Sequence, residues 1–560
     1  MKISKSLRSA TGLMAHVVMF TILGSLPACS DDPAGESPPV EVSIGGTLSG
    51  LDGTVVLQNN GADDLSLSSD GPFTFGLTVA VGETYSVTVQ TQPADQVCVV
   101  NDGSGTAQAD VSTVAVVCTS NVTIGGTISG LTGGTVTLVN NGVDPVSTDV
   151  NGPFTFSSTI PSGASYDVTV QTRPVGQTCL VTNGSGTATD DVTNVTVECE
   201  ALELGPLPEI YATGKAINYG AYRAGGPDAG EIPSDEDILQ DLGLMQSAGF
   251  NLVRLFGSNP VTEKVLRLAD ANFPDLRFQL GITLFGMLDD LCEVPENDQE
   301  IETAIRLAST YEDIVATISV GNETSFFSCF MPINCLELYI EQTREGLTAA
   351  GVTQPITADD DYTFYAGQNA VNGSRCGNQP DTILPLLDFV SIHAYPVSYF
   401  QAWDWKQEGV EAGPLRAAAM MEAALEHAQE NYQAVYDYEY EDASGATVTV
   451  GESLPIVVGE TGWKWRQTNS GLEIEDYAAN PVNAKWYSDL IRSWERSPGG
   501  PPTIFVFVAF DEAWKGIDDG WGFWDELRTP LYALCDTSVP NAPGCNDPLY
   551  DGAGYYDPSP

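Results

Sequence analysis

Positive charge is scarce in this sequence. Its 560 residues hold 22 Lys and Arg against 75 Asp and Glu, a formal charge of −53. A field of that sign repels nucleic acid and anionic lipid headgroups, so neither is an expected partner. It suits a neutral ligand such as a sugar and an extracellular setting in salty water; the plainer reading is a solvated acidic surface. Histidine is rarer still, with three residues, and His16 lies in the N-terminal leader. Histidine-rich zinc sites are therefore not expected, and a Ser-His-Asp triad would have to use His393 or His427. No Cys-x-x-Cys occurs, which argues against a redox or structural-metal site. No metal or cofactor is expected. Beyond the leader, no apolar run reaches the ~18 residues of a spanning helix.

What is present begins with that leader. Lys2, Lys5 and Arg8 precede a mostly apolar run from Leu13 to Leu23, the layout of a secretory signal. Leu26-Pro27-Ala28-Cys29 then resembles the lipobox of bacterial lipoproteins. The resemblance implies removal of residues 1–28, a lipid on Cys29, and anchoring to a membrane by that lipid. Ser30 after the Cys implies the outer membrane or surface of a bacterial cell. An ordinary signal with an incidental Cys is the alternative. Residues 29–40 read as a flexible tether. Of the 11 Cys, an even number remains beyond Cys29, so disulfides are expected in an exported chain. Cys98/Cys118 and Cys179/Cys199 recur in each copy of a repeat, which favours pairing within the copy. Cys329/Cys335 and Cys535/Cys545 are candidate local pairs, and Cys292/Cys376 would be the remainder.

The repeat occupies residues 41–120 and 121–201. Val42 to Leu51 recurs as Val122 to Leu131, Asn59-Asn60-Gly61 as Asn140-Asn141-Gly142, and Gly71 to Phe75 as Gly152 to Phe156. The period is about 80 residues. Alternating runs such as Tyr85-Ser86-Val87-Thr88-Val89 are separated by Asn-Gly and Asp-Gly turns. Each copy is expected to be a small all-β sandwich, and the pattern resembles immunoglobulin-like bacterial repeats. From Asp31 to Cys199 the one basic residue is Arg173. The copies contain no Trp, which favours a spacer over a carbohydrate-binding module.

Composition shifts at about Leu204, and all nine Trp lie beyond it. Eight short apolar runs alternate with helical patterns: Ala216–Tyr219, Leu252–Phe256, Arg277–Ile282, Ile314–Val320, Ile356–Ala358, Phe389–His393, Pro455–Val458 and Thr503–Phe510. Helical patterns such as Ile238–Ala248, Leu336–Ala350, Arg416–Tyr436 and Asn483–Ser497 lie among them. Residues 204–560 are thus expected to form a (β/α)8 barrel, with chemistry at the C-terminal ends of the strands. Tyr438–Glu452 reads as an inserted hairpin. Glu323 follows the fourth strand and Glu460 the seventh. A carboxylate at the end of a buried strand is costly unless bonded, paired or used. Two facing carboxylates are the apparatus for glycosidic cleavage: one protonates the leaving oxygen, the other meets the anomeric carbon. A helix cap or a buried ion pair is the structural alternative.

Here a resemblance becomes specific. Val320-Gly321-Asn322-Glu323 resembles the acid/base motif of glycoside hydrolase family 17, the β-1,3-glucanases. Gly459-Glu460-Thr461-Gly462-Trp463 is similar to that family's nucleophile motif, and Glu512-Ala513-Trp514-Lys515 to its eighth-strand Glu-x-x-Lys. Asn218-Tyr219-Gly220 and Arg254-Leu255-Phe256 also match. The resemblance runs from Gly214 onward. It implies a retaining enzyme acting on laminarin-type β-1,3-glucan by double displacement, with Glu323 as acid/base and Glu460 as nucleophile. Asn322 would hold the sugar 2-hydroxyl; Glu512 and Lys515 would bind the reacting sugar, and Lys515 would keep Glu460 ionised. Tyr219, Arg254, Tyr395 and Trp463 are further substrate-site candidates. The regions around Trp403-Asp404-Trp405 and Tyr438–Glu452 depart from the compact plant enzymes and leave endo or exo action open.

Trp463, Trp465, Trp514, Trp521 and Trp524 are either sugar platforms or loop packing. Trp463 is the strongest platform candidate, as part of a motif. His393 reads as a strand cap rather than a sugar contact, and His427 as a surface residue. Asp359-Asp360-Asp361 reads as a carboxylate-rich loop after strand five, with Ca²⁺ ligation the lesser alternative. A glucanosyltransferase using the same two Glu and a non-catalytic glycan-binding lipoprotein are the alternative functions. A monomer is expected.

Overall fold

The computed structural model describes residues 39–536 except 175, 287–291, 293, 326–330, 369–378, 397–406, 408, 411–413, 443–445 and 467–478, and also residues 542–545. The leader with Cys29, the residues Cys329 and Cys376, Trp403-Asp404-Trp405 and Ser444-Gly445 lie outside the described residues.

Both repeats are built from sheets with matching strand order. In the first, Gly71–Thr74, Ile44–Ser49, Val111–Val122 and Gln96–Asn101 pair in that order. Ala62–Leu67, Val55–Asn59, Thr84–Thr91 and Ser104–Thr106 form a second sheet. The second repeat has Gly152–Thr155, Ile124–Ser129, Val192–Ala201 and Gln177–Thr182, then Val143–Thr148, Val136–Asn140, Ala164–Thr172 and Ser185–Ala188. Apolar residues at alternate positions fill one core per repeat, Ile44, Val55, Phe73 and Val114 in one, Ile124, Val136, Phe154 and Val195 in the other. Asn60 and Gly61 both take positive φ (54° and 70°), which a tight hairpin turn requires. The central pairs, Ile44–Ser49 with Val111–Val122 and Ile124–Ser129 with Val192–Ala201, run parallel. A Cβ at Gly46 or Gly126 would lie 1.8 Å from the carbonyl oxygen of Val114 or Val195, so no larger residue fits at either. Disulfides Cys98–Cys118 and Cys179–Cys199 join directly paired residues of neighbouring antiparallel strands.

Beyond residue 204, eight parallel strands close into a barrel: β1 (Ala216–Asn218), β2 (Leu252–Leu255), β3 (Arg277–Ile282), β4 (Val315–Asn322), β5 (Ile356–Asp361), β6 (Val390–His393), β7 (Ile456–Thr461) and β8 (Ile504–Val506). β8 pairs back onto β1. Helices α1 (Asp235–Ser247), α2 (Pro260–Asn272), α3 (Pro295–Thr310), α4 (Ile333–Ala350), α5 (Pro414–Tyr436) and α6 (Pro481–Trp494) lie between the strands. Their starts are locally encoded. Ser234 and Asp237 form a capping box on α1, and Asn259 and Asn480 cap α2 and α6 ahead of Pro260 and Pro481. The hairpin Glu439–Glu441 with Thr447–Thr449 is present.

Three expectations need correction. β5 continues through Asp361, and Asp359, Asp360 and Asp361 are buried rather than exposed in a loop. β8 stops at Val506. Cys335 bonds Cys292, which overturns both Cys329/Cys335 and Cys292/Cys376. Cys292 precedes α3 and Cys335 lies in the first turn of α4. Neighbouring βα units therefore bring together at one rim residues that are 43 apart in sequence. Cys535–Cys545 forms as expected.

Candidate active site

At the end of β4, Gly321 (φ +83°) and Glu323 (φ +50°) both take left-handed backbone. β5 holds that turn. The N–H of Glu323 donates to the Asp359 carbonyl at 2.8 Å, and the N–H of Ser325 donates to Asp360 Oδ2 at 2.8 Å. The Glu323 side chain is 29% exposed, whereas Glu460, inside β7, is 5% exposed.

Arg254 of β2 is buried in the barrel interior and reaches three strands. Its Nε donates to Asp359 Oδ2 (2.7 Å), Nη1 to Glu460 Oε1 (2.6 Å) and Nη2 to Asn322 Oδ1 (2.5 Å). Asp359 also accepts from Gln279 Nε2 at 2.9 Å and from the Ser319 hydroxyl. Tyr395, just past β6, donates its hydroxyl to Glu460 Oε2 at 2.9 Å. His393, the last residue of β6, is wholly buried between the two glutamates. Its Nδ1 is 2.8 Å from Glu323 Oε1 and its Nε2 3.5 Å from Glu460 Oε1.

These contacts decide charge. Burial alone pushes the Glu460 carboxyl up, but the positive charges of His393 and Arg254 and the bonds from Arg254 and Tyr395 outweigh it and hold Glu460 below its ordinary range. Burial pulls His393 down, yet the Glu460 charge and the bond to Glu323 dominate and raise it to about 9. Asp360 and Asp361 are pushed up to about 7 and about 6, first by burial and further by the Glu323 charge. One atom from each of Glu323, His393 and Glu460 lies within 4.8 Å of the others. The Arg254 guanidinium already pairs with Glu460 there at 2.6 Å, so this cluster is not a fit for a metal ion.

An aromatic wall adjoins Glu460. The ring centroid of Tyr395 lies 5.3 Å from that of Trp521 and 6.0 Å from that of Phe507, and Phe507 packs on Phe256 at 6.3 Å. Lys515 Nζ pairs with Glu512 Oε2 at 2.6 Å and lies 4.8 Å from the Phe507 ring centre. A Cβ on Gly220 would sit 2.3 Å from Glu512 Oε1, which accounts for the Gly after Asn218-Tyr219.

The barrel thus gathers Asn322, Glu323, Arg254, Tyr395 and Glu460, with Glu512 and Lys515 beside the wall. Two candidates fall elsewhere. Tyr219 is buried on the helix side, its hydroxyl donating to Asp241 of α1 at 3.2 Å. Strand alternation explains this, because Asn218 takes the inward position and bonds the Gly459 carbonyl. Trp463 is buried in the barrel core against Tyr487, and Trp524 is buried too, whereas Trp521 stays partly exposed. The charges that act most on Glu460 are those of His393 and Arg254, not that of Lys515. His393, expected as a strand cap, lies between the two glutamates. Its position two residues before Tyr395, in a chain with three His, was the available signal. A cavity of about 830 Å³ lies elsewhere, between the second repeat and α4; chemistry places the site at the strand ends instead.

The family described as the BtgE/BtgC glycoside hydrolase domain matches residues 216–523. The cell surface mannoprotein MP65 of Candida albicans is 22% identical over 316 residues, which span 55% of this chain and 66% of that protein, just under two thirds. A crystal structure of an endo-laminarinase from Formosa Hel1_33_131 is similar at a TM-score of 0.47 and 20% identity, over 60% of this chain and 90% of that one. A structure from a study of two plant β-glucan endohydrolases with distinct substrate specificities is similar at 0.36 and 15% identity, over 56% and 98%.

Proposed function

The chain belongs to the BtgE/BtgC glycoside hydrolase family, and from that premise we propose that it is a retaining hydrolase of laminarin-type β-1,3-glucan. The observation that carries the mechanism is the approach of Glu323 and Glu460, with carboxylate oxygens within 4.8 Å. Retaining enzymes hold their two carboxyl groups ~5–5.5 Å apart, and inverting ones leave room for a water between them. Glu460, held ionised by Arg254, His393 and Tyr395, attacks the anomeric carbon. Glu323, the more exposed of the two, gives its proton to the leaving oxygen. Glu323 then takes a proton from water, which displaces Glu460 and restores both groups. Arg254 holds Asn322 Oδ1, so the amide nitrogen is the atom that would meet the sugar 2-hydroxyl. Trp521, Phe256 and Tyr395 would flank the sugar.

The β-1,3 linkage rests on the motif resemblance from Val320 to Glu323 and from Gly459 to Trp463. The lipid anchor on Cys29 and a place at the bacterial surface are part of the same proposal. A reducing-end assay on laminarin, cellulose and lichenan tests it: laminarin is cut and cellulose is not. Glu460→Ala lowers turnover by about 10⁴-fold or more while sugar binding survives. Full activity in that variant removes Glu460 from the mechanism. Cleavage of cellulose in preference to laminarin removes the linkage assignment alone.

A further inference from the structure

In the mechanism above His393 does no more than help hold Glu460 ionised, and its contact with Glu323 is unused. It is wholly buried, it ends β6 between the two carboxylates, and each ring nitrogen faces one of them. Two carboxylates this close repel one another, and one of them ordinarily keeps a proton for that reason. An imidazole placed between them changes the arrangement. We infer that His393 and Glu323 hold one proton between them, the proton given to the leaving sugar oxygen, and that His393 is the positioning residue that keeps Glu323 and Glu460 close while Glu460 stays ionised. This rests on the retaining reading of the site.

The proton count closes. With the proton on Nδ1, the pair is an imidazolium and a carboxylate 2.8 Å apart. With it on Glu323, the carboxyl O–H donates to a neutral Nδ1, and Nε2–H still faces Glu460. Only the second form carries the proton on Glu323, the partly exposed partner, from which it can turn to the leaving oxygen. Cleavage moves its proton to the leaving oxygen and leaves Glu323 as a carboxylate beside neutral His393; the attacking water returns a proton in the second half-reaction. Loss of the shared proton at high pH ends acid catalysis, so the basic limb of the rate profile belongs to the pair and not to Glu323 alone.

The other charged groups around His393 set how tightly the proton is held. The carboxyl groups of Glu460 on β7 and Glu323 after β4 favour retention, as do Asp360 and Asp361 on β5 when ionised. Arg254 from β2 opposes it and is itself neutralised by Asp359 and Glu460. Tyr395 adds its hydroxyl bond to Glu460.

The test is imidazole ¹⁵N NMR on the intact protein with the pH profile of kcat/KM. Three histidines make the spectrum readable, and His16→Asn and His427→Asn assign the other two signals. His393 is expected to be an imidazolium at pH 6–7, to become the Nε2–H tautomer on titration, and to titrate with the basic limb. Glu323→Gln should lower its midpoint by at least one pH unit. His393→Asn should cut kcat about 100-fold, change KM less than threefold, and move the basic limb down by a pH unit or more. A His393 that is neutral at pH 7, a midpoint unmoved by Glu323→Gln, or an unmoved basic limb in His393→Asn overturns the inference. The NMR readout needs neither turnover nor a folded His393 variant. A failure of the laminarin assignment therefore leaves it standing, since the rate profile is read on whichever β-glucan is cut.

Discussion

The repeats and the barrel handle buried polarity in opposite ways. Among the described residues from 41 to 201, the buried polar side chains are Asn59, Gln96, Asn140 and Gln177. These are neutral amides at matching places in two copies. Gln96 accepts from Asp52 N and donates to the Gly50 carbonyl, and Gln177 does the same with Thr132 N and the Gly130 carbonyl. The barrel buries Arg254, Asp359, Asp360, Asp361, His393, Glu460 and Glu512 at the strand ends. Burying a charge costs several kcal/mol unless its partners repay it. Asp241, on the helix side, is bonded bidentately by Arg528 and also by Arg223. At the strand ends carboxylates outnumber the cations Arg254, His393, Lys464 and Lys515. A surplus of buried carboxyl groups, two of them pushed toward the neutral form, rather than buried polarity as such, separates the site from the scaffold.

The sharpest way to break that contrast is Arg254→Met. It strands Asp359 and Glu460 without their shared cation. About 3–5 kcal/mol of barrel stability should be lost, and kcat/KM should fall about 10³-fold. Denaturant unfolding followed by Trp fluorescence reads the barrel alone, since every Trp lies beyond residue 204. Near-normal stability would mean that the site charges are hydrated and that the contrast is false.

The pH dependence of stability should differ in sign between the two regions. Burial pushes Asp360 and Asp511 up to about 7. Between about pH 4 and 7 each is protonated when folded and ionised when unfolded, so the folded barrel binds more protons. Its stabilisation from these groups is complete below about pH 4 and lost by about pH 7, on the order of 4 kcal/mol for a three-unit shift. In the repeats, Asp110 and Asp191 are held below their ordinary range, first by backbone N–H donors and then by hydroxyls of Ser43 and Thr123. Their contribution is present above the unfolded value and lost as pH falls. Hydrogen-exchange mass spectrometry should show barrel protection falling from pH 4 to 7, and repeat protection level over that range and falling only below about pH 4. Asp360→Asn should flatten the barrel slope only.

Much of this was legible from residue order, and the reasons differ by element. Strand period, turn residues and repeated Cys spacing are local, so both repeats and their disulfides could be read. The alternation of short apolar runs with helical patterns announced the barrel, and the two Glu stood out because each ends such a run. What failed depended on facing or closure. Tyr219 and Trp463 belong to motifs but point into packing, Tyr219 because a strand turns successive side chains to opposite sides and Trp463 because the chain past β7 lays its ring against Tyr487. Asp359 to Asp361 carry the pattern of a polar loop, and the partner that lets one of them be buried, Arg254, lies more than a hundred residues away in the chain. Cys335 found Cys292 across adjacent units, a pairing that spacing alone does not favour.

Smaller effects sharpen the scaffold side of the comparison. Replacing Cys179 and Cys199 together by Ala opens a link across 20 residues and should cost the second repeat about 3 kcal/mol. Barrel Trp fluorescence should still unfold at its own midpoint and kcat should not move. Reduced turnover would mean that repeat two supports the site.

The smallest expected effect is that of Gln177→Ala. The side chain is buried and spans two backbone groups, Thr132 N–H at 3.1 Å and the Gly130 carbonyl at 2.9 Å. Truncation leaves both without the partner that the turn after Ile124–Ser129 was built around. The cost should be about 1–2 kcal/mol, read as faster hydrogen exchange at residues 130–132 and no change in kcat/KM. Gln177→Glu separates the two requirements. Its carboxylate still accepts from Thr132 but cannot donate to Gly130, and it places a charge in a region that buries none. A loss larger for Glu than for Ala would show that the repeats exclude buried charge because it is costly there. A loss equal to or below that of Ala would show that the amides are merely convenient, and the contrast with the barrel would rest on the strand ends alone.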